Sequence, residues 1–238
     1  MVRKTKEICI FGFVQISASY RSNDTIYGVA RISMNKKNFK PLQLIQQFPL
    51  KNDVLNQKLE QYVASEMERT QNDKKEQHSN IGGWQSKRDL HAHLADDSSK
   101  GLLLELFQSF SAPMSQYISS CSELFNVQSN ENYDWNYTGA WFNVAVRGGY
   151  NAPHVHPLSQ ISAAYYIYTE EPSSEYPFSG RIDFIIDNIT YHFFPKPGTL
   201  ILFPSDTLHF VHPYYGSTPR ISLSFNVNNV HTVHLLPT

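Results

Sequence analysis

The sequence predicts an α+β protein, with helices first and an antiparallel β-sandwich or barrel after them. Between Asp53 and Phe125, apolar residues recur at helical spacing. From Trp135 onward the pattern changes to short alternating segments. Gly, Pro and Asn turns separate those segments, as in an antiparallel sandwich or barrel.

Residues 8–18 read as a strand and residues 25–34 as a second, with Asn23-Asp24 as the turn between them. The basic start and apolar Ile8 to Val14 have the outline of a signal peptide, but the apolar piece is short, Glu7 interrupts the basic segment and Gln15 ends the run, which favours a strand. Asp53 to Arg69 is a helix, with Leu55, Leu59, Tyr62, Val63 and Met67 near helical spacing and Asp53 placed to cap. Residues 70–82 are polar and read as a surface loop. In Gly82-Gly83-Trp84-Gln85-Ser86, the tryptophan is a core anchor or part of a pocket lid. His91 and His93 lie two apart without a partner motif nearby, so they read as surface residues. Ser98 to Phe125 is the strongest helical stretch, which Pro113 kinks or divides. Strands follow over Ala140 to Arg147, His154 to Tyr168, Arg181 to Ile186, Ile189 to Phe194, Thr199 to Phe203 and Pro219 to Val227.

A chain of 238 residues can build one sizeable core. The expected organisation is a single domain over 1–238, with supporting elements in 1–134 and the core in 135–228. The net charge of -1 argues against a nucleic-acid binder, which would show a basic excess. Cys9 and Cys121 make no disulfide framework and fit a reducing compartment, and no run reaches the length of a membrane span. The expectation is therefore a cytoplasmic protein, in a bacterium or in the host cell if phage-encoded. Long edge strands leave a homodimer open.

Chemistry concentrates between residues 139 and 228. Residues two apart on a strand share a face, so His154 and His156 can aim at one point. Imidazole binds Fe(II), Zn(II) or Mn(II) while neutral near pH 7. The apolar run Thr199 to Phe203, opened by Pro197-Gly198 and closed by Pro204, reads as a buried strand. His209 follows just past a short turn, within reach of the first two histidines. Further on, Arg220, Ser222 and Ser224 alternate onto one face. A buried arginine must be paired, and an acidic ligand is the expected partner.

Gly148 followed by His154-x-His156, then Gly198, Pro204 and His209, is similar to the two-motif pattern of cupins. His209, ten residues, then Arg220-x-Ser222 resembles the closing signature of the 2-oxoglutarate and Fe(II)-dependent oxygenases. With Gly83-Trp84-Gln85-Ser86, Asp89-Leu90-His91, Trp141 to Val144, Pro153 to Pro157, Tyr165-Tyr166 and Phe203-Pro204, the chain resembles a family of 2-oxoglutarate/Fe(II) oxygenases of bacteria and phages, over roughly residues 80 to 228.

That resemblance implies a double-stranded β-helix, a jelly-roll or cupin-like barrel flanked by N-terminal helices. It implies Fe(II) at His154, His156 and His209, with 2-oxoglutarate chelating the metal and O2 as oxidant. Arg220 and Ser222 would receive the distal carboxylate of 2-oxoglutarate, Tyr166 would contact it, and Asn143 could line the pocket. No catalytic residue beyond the metal ligands is implied. Hydroxylation with release of succinate and CO2 is the default outcome, on a small molecule or a protein side chain. His156 stands where most such oxygenases carry a carboxylate, so Asp183 or Asp187 is an alternative third ligand. His212 reads as a surface or supporting residue, His192 as exposed, and His231 and His234 as tail residues. Two other functions fit parts of the pattern. One is a three-histidine cupin dioxygenase or isomerase without 2-oxoglutarate, and the other is a non-catalytic metal- or sugar-binding β-sandwich.

Overall fold

The computed structural model describes residues 34–70, 79–94 and 101–233. The strands expected over 8–18 and 25–33 lie outside the described residues, as do His234 and most of the loop expected after Arg69. In chain order come α1 (Pro41–Leu44), β1 (Gln46–Pro49), α2 (Asp53–Arg69), β2 (Asn80–Gln85), a 3-10 turn (Leu90–Ala92), α3 (Leu102–Ser109), α4 (Ser111–Ser120) and α5 (Ser122–Phe125). Then follow β3 (Asn132–His154), β4 (Ile161–Tyr168), β5 (Ile182–Ile186), β6 (Ile189–Phe193), β7 (Thr199–Pro204), β8 (Leu208–Val211) and β9 (Arg220–Val233).

All paired strands are antiparallel and form one curled sheet in the order β1-β7-β4-β9-β3-β8-β5-β6, with β2 also on β3. Read from β3, the order contains two four-stranded runs, β3-β9-β4-β7 and β3-β8-β5-β6. From β4 onward the chain alternates between the runs except at β5 and β6, which pair as a hairpin within one run, and this is the winding of a double-stranded β-helix. One strand belongs to both runs because it bends at Gly148-Gly149. Gly148 has φ +83, and a Cβ on Gly149 would stand 2.9 Å from the carbonyl oxygens of both Gly82 and Val146. The sequence places a break here, whereas the structure carries the strand through the glycines.

Helices back the first run. Along β9, Leu223, Phe225 and Val227 face the helical layer, while Arg220, Ser222, Ser224 and Asn226 alternate to the other side. Phe225 stacks on Phe110 at 5.2 Å, and Phe110 meets Tyr165 of β4 at the same distance. In α2, Leu55, Leu59 and Val63 repeat every fourth residue and are buried. Asn56 shares that face because its side-chain carbonyl accepts the Tyr165 hydroxyl at 2.8 Å.

The expected helix over residues 98–125 is three helices within the described part. The division falls at Phe110, three residues before Pro113, which sits in the first turn of α4, where its missing N–H is harmless. Asp53 is the first residue of α2 and Asn52 holds the cap position, so the carboxylate acts on the first turn instead of capping it. Residues 154–168 likewise do not form one strand, because a turn containing Leu158 at φ +69 separates His156 from β4. No helix among the described residues is long and apolar enough to cross a membrane.

Candidate metal centre and co-substrate pocket

His154 ends β3 and pairs directly across the strands with His209 of β8, and their ring centroids lie 4.2 Å apart. His156 is two residues beyond the strand end, held by its backbone N–H to the Ser205 carbonyl at 2.8 Å. Its ring is 4.9 Å from that of His154 and 5.1 Å from that of His209. One nitrogen from each imidazole lies within 4.8 Å of the others. Two rings are oriented by their own backbone: Nδ1 of His154 faces the Ala152 carbonyl at 2.7 Å and Nδ1 of His209 the Thr207 carbonyl at 2.9 Å. A proton on each Nδ1 leaves Nε2 as a lone pair toward the shared point.

Burial holds all three imidazoles in the neutral form. It is the main cause for His154, with the Arg88 charge adding to it, and for His156, where the neighbouring His209 and His154 push further down. His209 is lowered to about 3, first by burial and then by His154. Three neutral nitrogen donors without a carboxylate suit a borderline divalent metal.

The alternative third ligands do not reach this point. Asp183 pairs in register with Phe210, so it faces away from His209, which pairs with Phe184. Its carboxylate accepts from Arg181 at 2.8 Å and lies 2.8 Å from His212 Nε2 and 3.1 Å from His192 Nδ1. Asp187 has φ +51 in the β5–β6 turn. His212 and His192 thus serve this outer cluster. His91 is partly buried and His93 lies 3.4 Å from Asp89, both outside the three-histidine group, and His231 is exposed on β9.

A cavity runs from the histidines into the sheet, lined by Ser79, Trp141, Asn143, Tyr166, Phe203, Arg220, Ser222 and Ser224. Arg220 is 3% exposed, with its guanidinium 4.9 Å from the centroid of the Tyr166 ring. Its Nε, the Tyr166 hydroxyl and the Asn143 side-chain carbonyl are all buried without a hydrogen-bond partner in the protein. Among the described residues, no carboxylate pairs with Arg220. Tyr166 is kept protonated, because burial raises its pKa more than the Arg220 charge lowers it. Two of these orphaned groups, Arg220 Nε and the Tyr166 hydroxyl, are donors that fit a carboxylate ligand entering from the histidine end, whereas the Asn143 carbonyl is an acceptor. Beyond Arg220, buried Tyr214 and Gly180 close the floor: a Cβ on Gly180 would come within 3.1 Å of the tyrosine ring and 3.6 Å of Arg220 Cδ.

Residues 139–226 match the family model described as "Putative 2OG-Fe(II) oxygenase". Over these residues the chain is similar to the 2OG-Fe(II) oxygenases. No curated protein matches the sequence. Among solved structures, the chain is similar to a Trichoplax adhaerens prolyl hydroxylase in complex with a hypoxia inducible factor oxygen degradation domain peptide fragment. The TM-score is 0.55 at 14% identity, covering 78% of this chain and 84% of that one. A Pseudomonas putida prolyl-4-hydroxylase aligns with TM-score 0.50 at 16% identity over 78% and 92% of the two chains. The viral collagen prolyl hydroxylase of Paramecium bursaria Chlorella virus-1, in its 2OG complex, aligns with TM-score 0.50 at 14% identity over 77% and 95%. At these identities the likeness concerns the double-stranded β-helix fold.

Three cavity-side residues escaped the sequence reading. Ser79 lies 3.3 Å from His154 Nε2, Arg88 stacks 4.0 Å above the Trp141 ring, and Asn226 Nδ2 lies 3.4 Å from His156 Nδ1. Only Asn226 had a usable signal, since it continues the alternation Arg220, Ser222, Ser224 by one step.

Proposed function

We propose that the domain is an Fe(II)- and 2-oxoglutarate-dependent dioxygenase that hydroxylates a side chain of a peptide or protein. The observation that carries this reading is Arg220: a buried guanidinium with unsatisfied polar neighbours, in the same cavity as three neutral imidazoles. In this reading His154, His156 and His209 hold the iron. Arg220 and Ser222 bind the distal carboxylate of 2-oxoglutarate, and the Tyr166 hydroxyl and Asn143 side-chain carbonyl, both without protein partners, face the co-substrate. When bound, iron, 2-oxoglutarate and O2 supply the oxidation of a C–H bond, with 2-oxoglutarate leaving as succinate and CO2.

The protein's own work is placement and exclusion of water. The carbonyls of Ala152 and Thr207 fix two of the three imidazoles before metal arrives, which removes ordering cost from binding. Trp141 lies 5.8 Å from the His156 ring and walls the histidine end. Tyr214 keeps the Arg220 end dry, which strengthens a guanidinium–carboxylate pair. A peptide substrate fits the Trichoplax structure's bound fragment. Within this reading residues 1–238 act as one unit, and the buried free thiol of Cys121 suits a reducing cytoplasm.

The test is an anaerobic titration of the metal-free protein with Fe(II) and 2-oxoglutarate, following the visible metal-to-ligand charge-transfer band. A band that needs far more 2-oxoglutarate in Arg220→Ala supports the assignment. Iron binding without a band would instead favour a three-histidine enzyme that does not use 2-oxoglutarate.

A further inference from the structure

His156 differs from the other two histidines in what stands behind it. His154 and His209 each face a backbone carbonyl, an acceptor that admits only a protonated Nδ1. Behind His156 stands instead the carboxamide of Asn226, 5% exposed, with Nδ2 3.4 Å from Nδ1 of the ring. The other end of that carboxamide is fixed, since Ser162, 1% exposed, donates its hydroxyl to Asn226 Oδ1 at 2.8 Å. An amide N–H directed at Nδ1 requires a lone pair there and puts the ring proton on Nε2. Nε2 of His156 then donates to Nε2 of His209, 3.3 Å away.

That arrangement is satisfied without metal and unable to coordinate through the inward nitrogen. For His156 to ligate, its proton must move to Nδ1 and meet an acceptor. A carboxamide can supply one by turning over, presenting Oδ1 to the imidazole and its NH2 group to the Ser162 oxygen. A carbonyl cannot reverse its role in this way.

We propose that Asn226, anchored by Ser162, is the positioning residue of the third histidine, and that reversal of its carboxamide converts His156 from a donor toward His209 into a metal ligand. This rests on reading His154, His156 and His209 as the metal centre. The two outer histidines are set for metal in advance, whereas the third joins through an exchange of hydrogen-bond direction. The proton count does not change, because one ring proton passes from Nε2 to Nδ1.

The test uses Zn(II) as a redox-silent probe on the full chain. Long-range proton–nitrogen correlation spectra of 15N-histidine protein should show His156 carrying Nε2–H without metal and Nδ1–H with zinc, while His154 and His209 carry Nδ1–H throughout. Asn226→Asp, an acceptor only, should fix the Nδ1–H form even without metal. Asn226→Leu should weaken zinc binding by about 10–100-fold, the range seen when a partner behind a metal ligand is lost. Ser162→Ala should weaken it less. A His156 already in the Nδ1–H form in metal-free wild type, or unchanged zinc affinity in a folded Asn226→Leu, overturns the proposal. If Asn226→Leu does not fold, the wild-type and Asn226→Asp spectra decide. His209→Ala separates the two levels: if it leaves zinc binding intact, the metal-centre reading fails and this one with it. If it abolishes binding while a folded Asn226→Leu keeps the wild-type zinc affinity, the carboxamide proposal fails alone.

Discussion

At the scale of single residues, Arg220 sets protein stability against ligand affinity. A guanidinium 3% exposed with no carboxylate beside it among the described residues destabilises the ligand-free protein. Arg220→Met is therefore expected to leave the melting temperature of the metal-free protein unchanged or raise it. The same change should weaken 2-oxoglutarate binding by about 2–5 kcal/mol, which paired calorimetry of melting and binding would register. The histidines set the pH response. Their folded-state pKa values lie below the ordinary value of 6.5, His209 at about 3, so the unfolded chain binds the extra protons. Stability is fully present above pH 6.5 and declines as pH falls toward 3. Denaturant midpoints of the metal-free protein should thus drop on acidification through this window, and less steeply in His209→Ala. Most of this chemistry was legible as residue types at fixed spacing. What was not legible is which nitrogen of a ring faces what, because that depends on partners such as Asn226, 70 residues from His156.

Among the elements, β2 is small but sits at a critical place. Among the described residues it joins the sheet only through β3, and the residue before it, Ser79, touches His154. A Cβ on Gly83 would fall 2.3 Å from the Val144 carbonyl oxygen, so the strands cannot pair there unless this residue is glycine. Gly83→Ala should detach β2, lowering thermal stability and exposing the indole of Trp84, which red-shifted fluorescence would reveal. On the opposite layer, Leu59→Ala in α2 should cost about 2–5 kcal/mol, against under about 0.5 kcal/mol for Val54→Ala, which is 67% exposed. Periodicity located α2, β5, β6, β7 and the first part of β9, since each has one clear apolar pattern, but it missed the four-residue β8. It failed where sterics outweighed pattern, at Gly148-Gly149 and at the turn after His156. Tyr166 lines the cavity from β4, on the far side of that turn.

For the molecule as a whole, the α+β layout with the barrel second was readable because helical and strand grammars occupy separate halves of the chain. Strand order was not readable, since it is settled by pairings such as β3 with β9 that local pattern does not encode. If iron and 2-oxoglutarate bind the folded barrel alone, saturating both at about 100 times their dissociation constants should raise stability by about 2.7 kcal/mol each. Thermal shifts that fail to add would indicate that one ligand needs the other. The way β3 serves both four-stranded runs has a further consequence, for folding time. His154 comes from β3, Tyr166 from β4, His209 from β8 and Arg220 from β9, so the cavity exists only after strands far apart in sequence have closed on one another. Such closures are slow, because chain entropy is lost before contacts reward it. During refolding, secondary structure should therefore appear well before tight zinc uptake, and a stopped-flow record of both signals would make the metal a clock for the last step of barrel assembly.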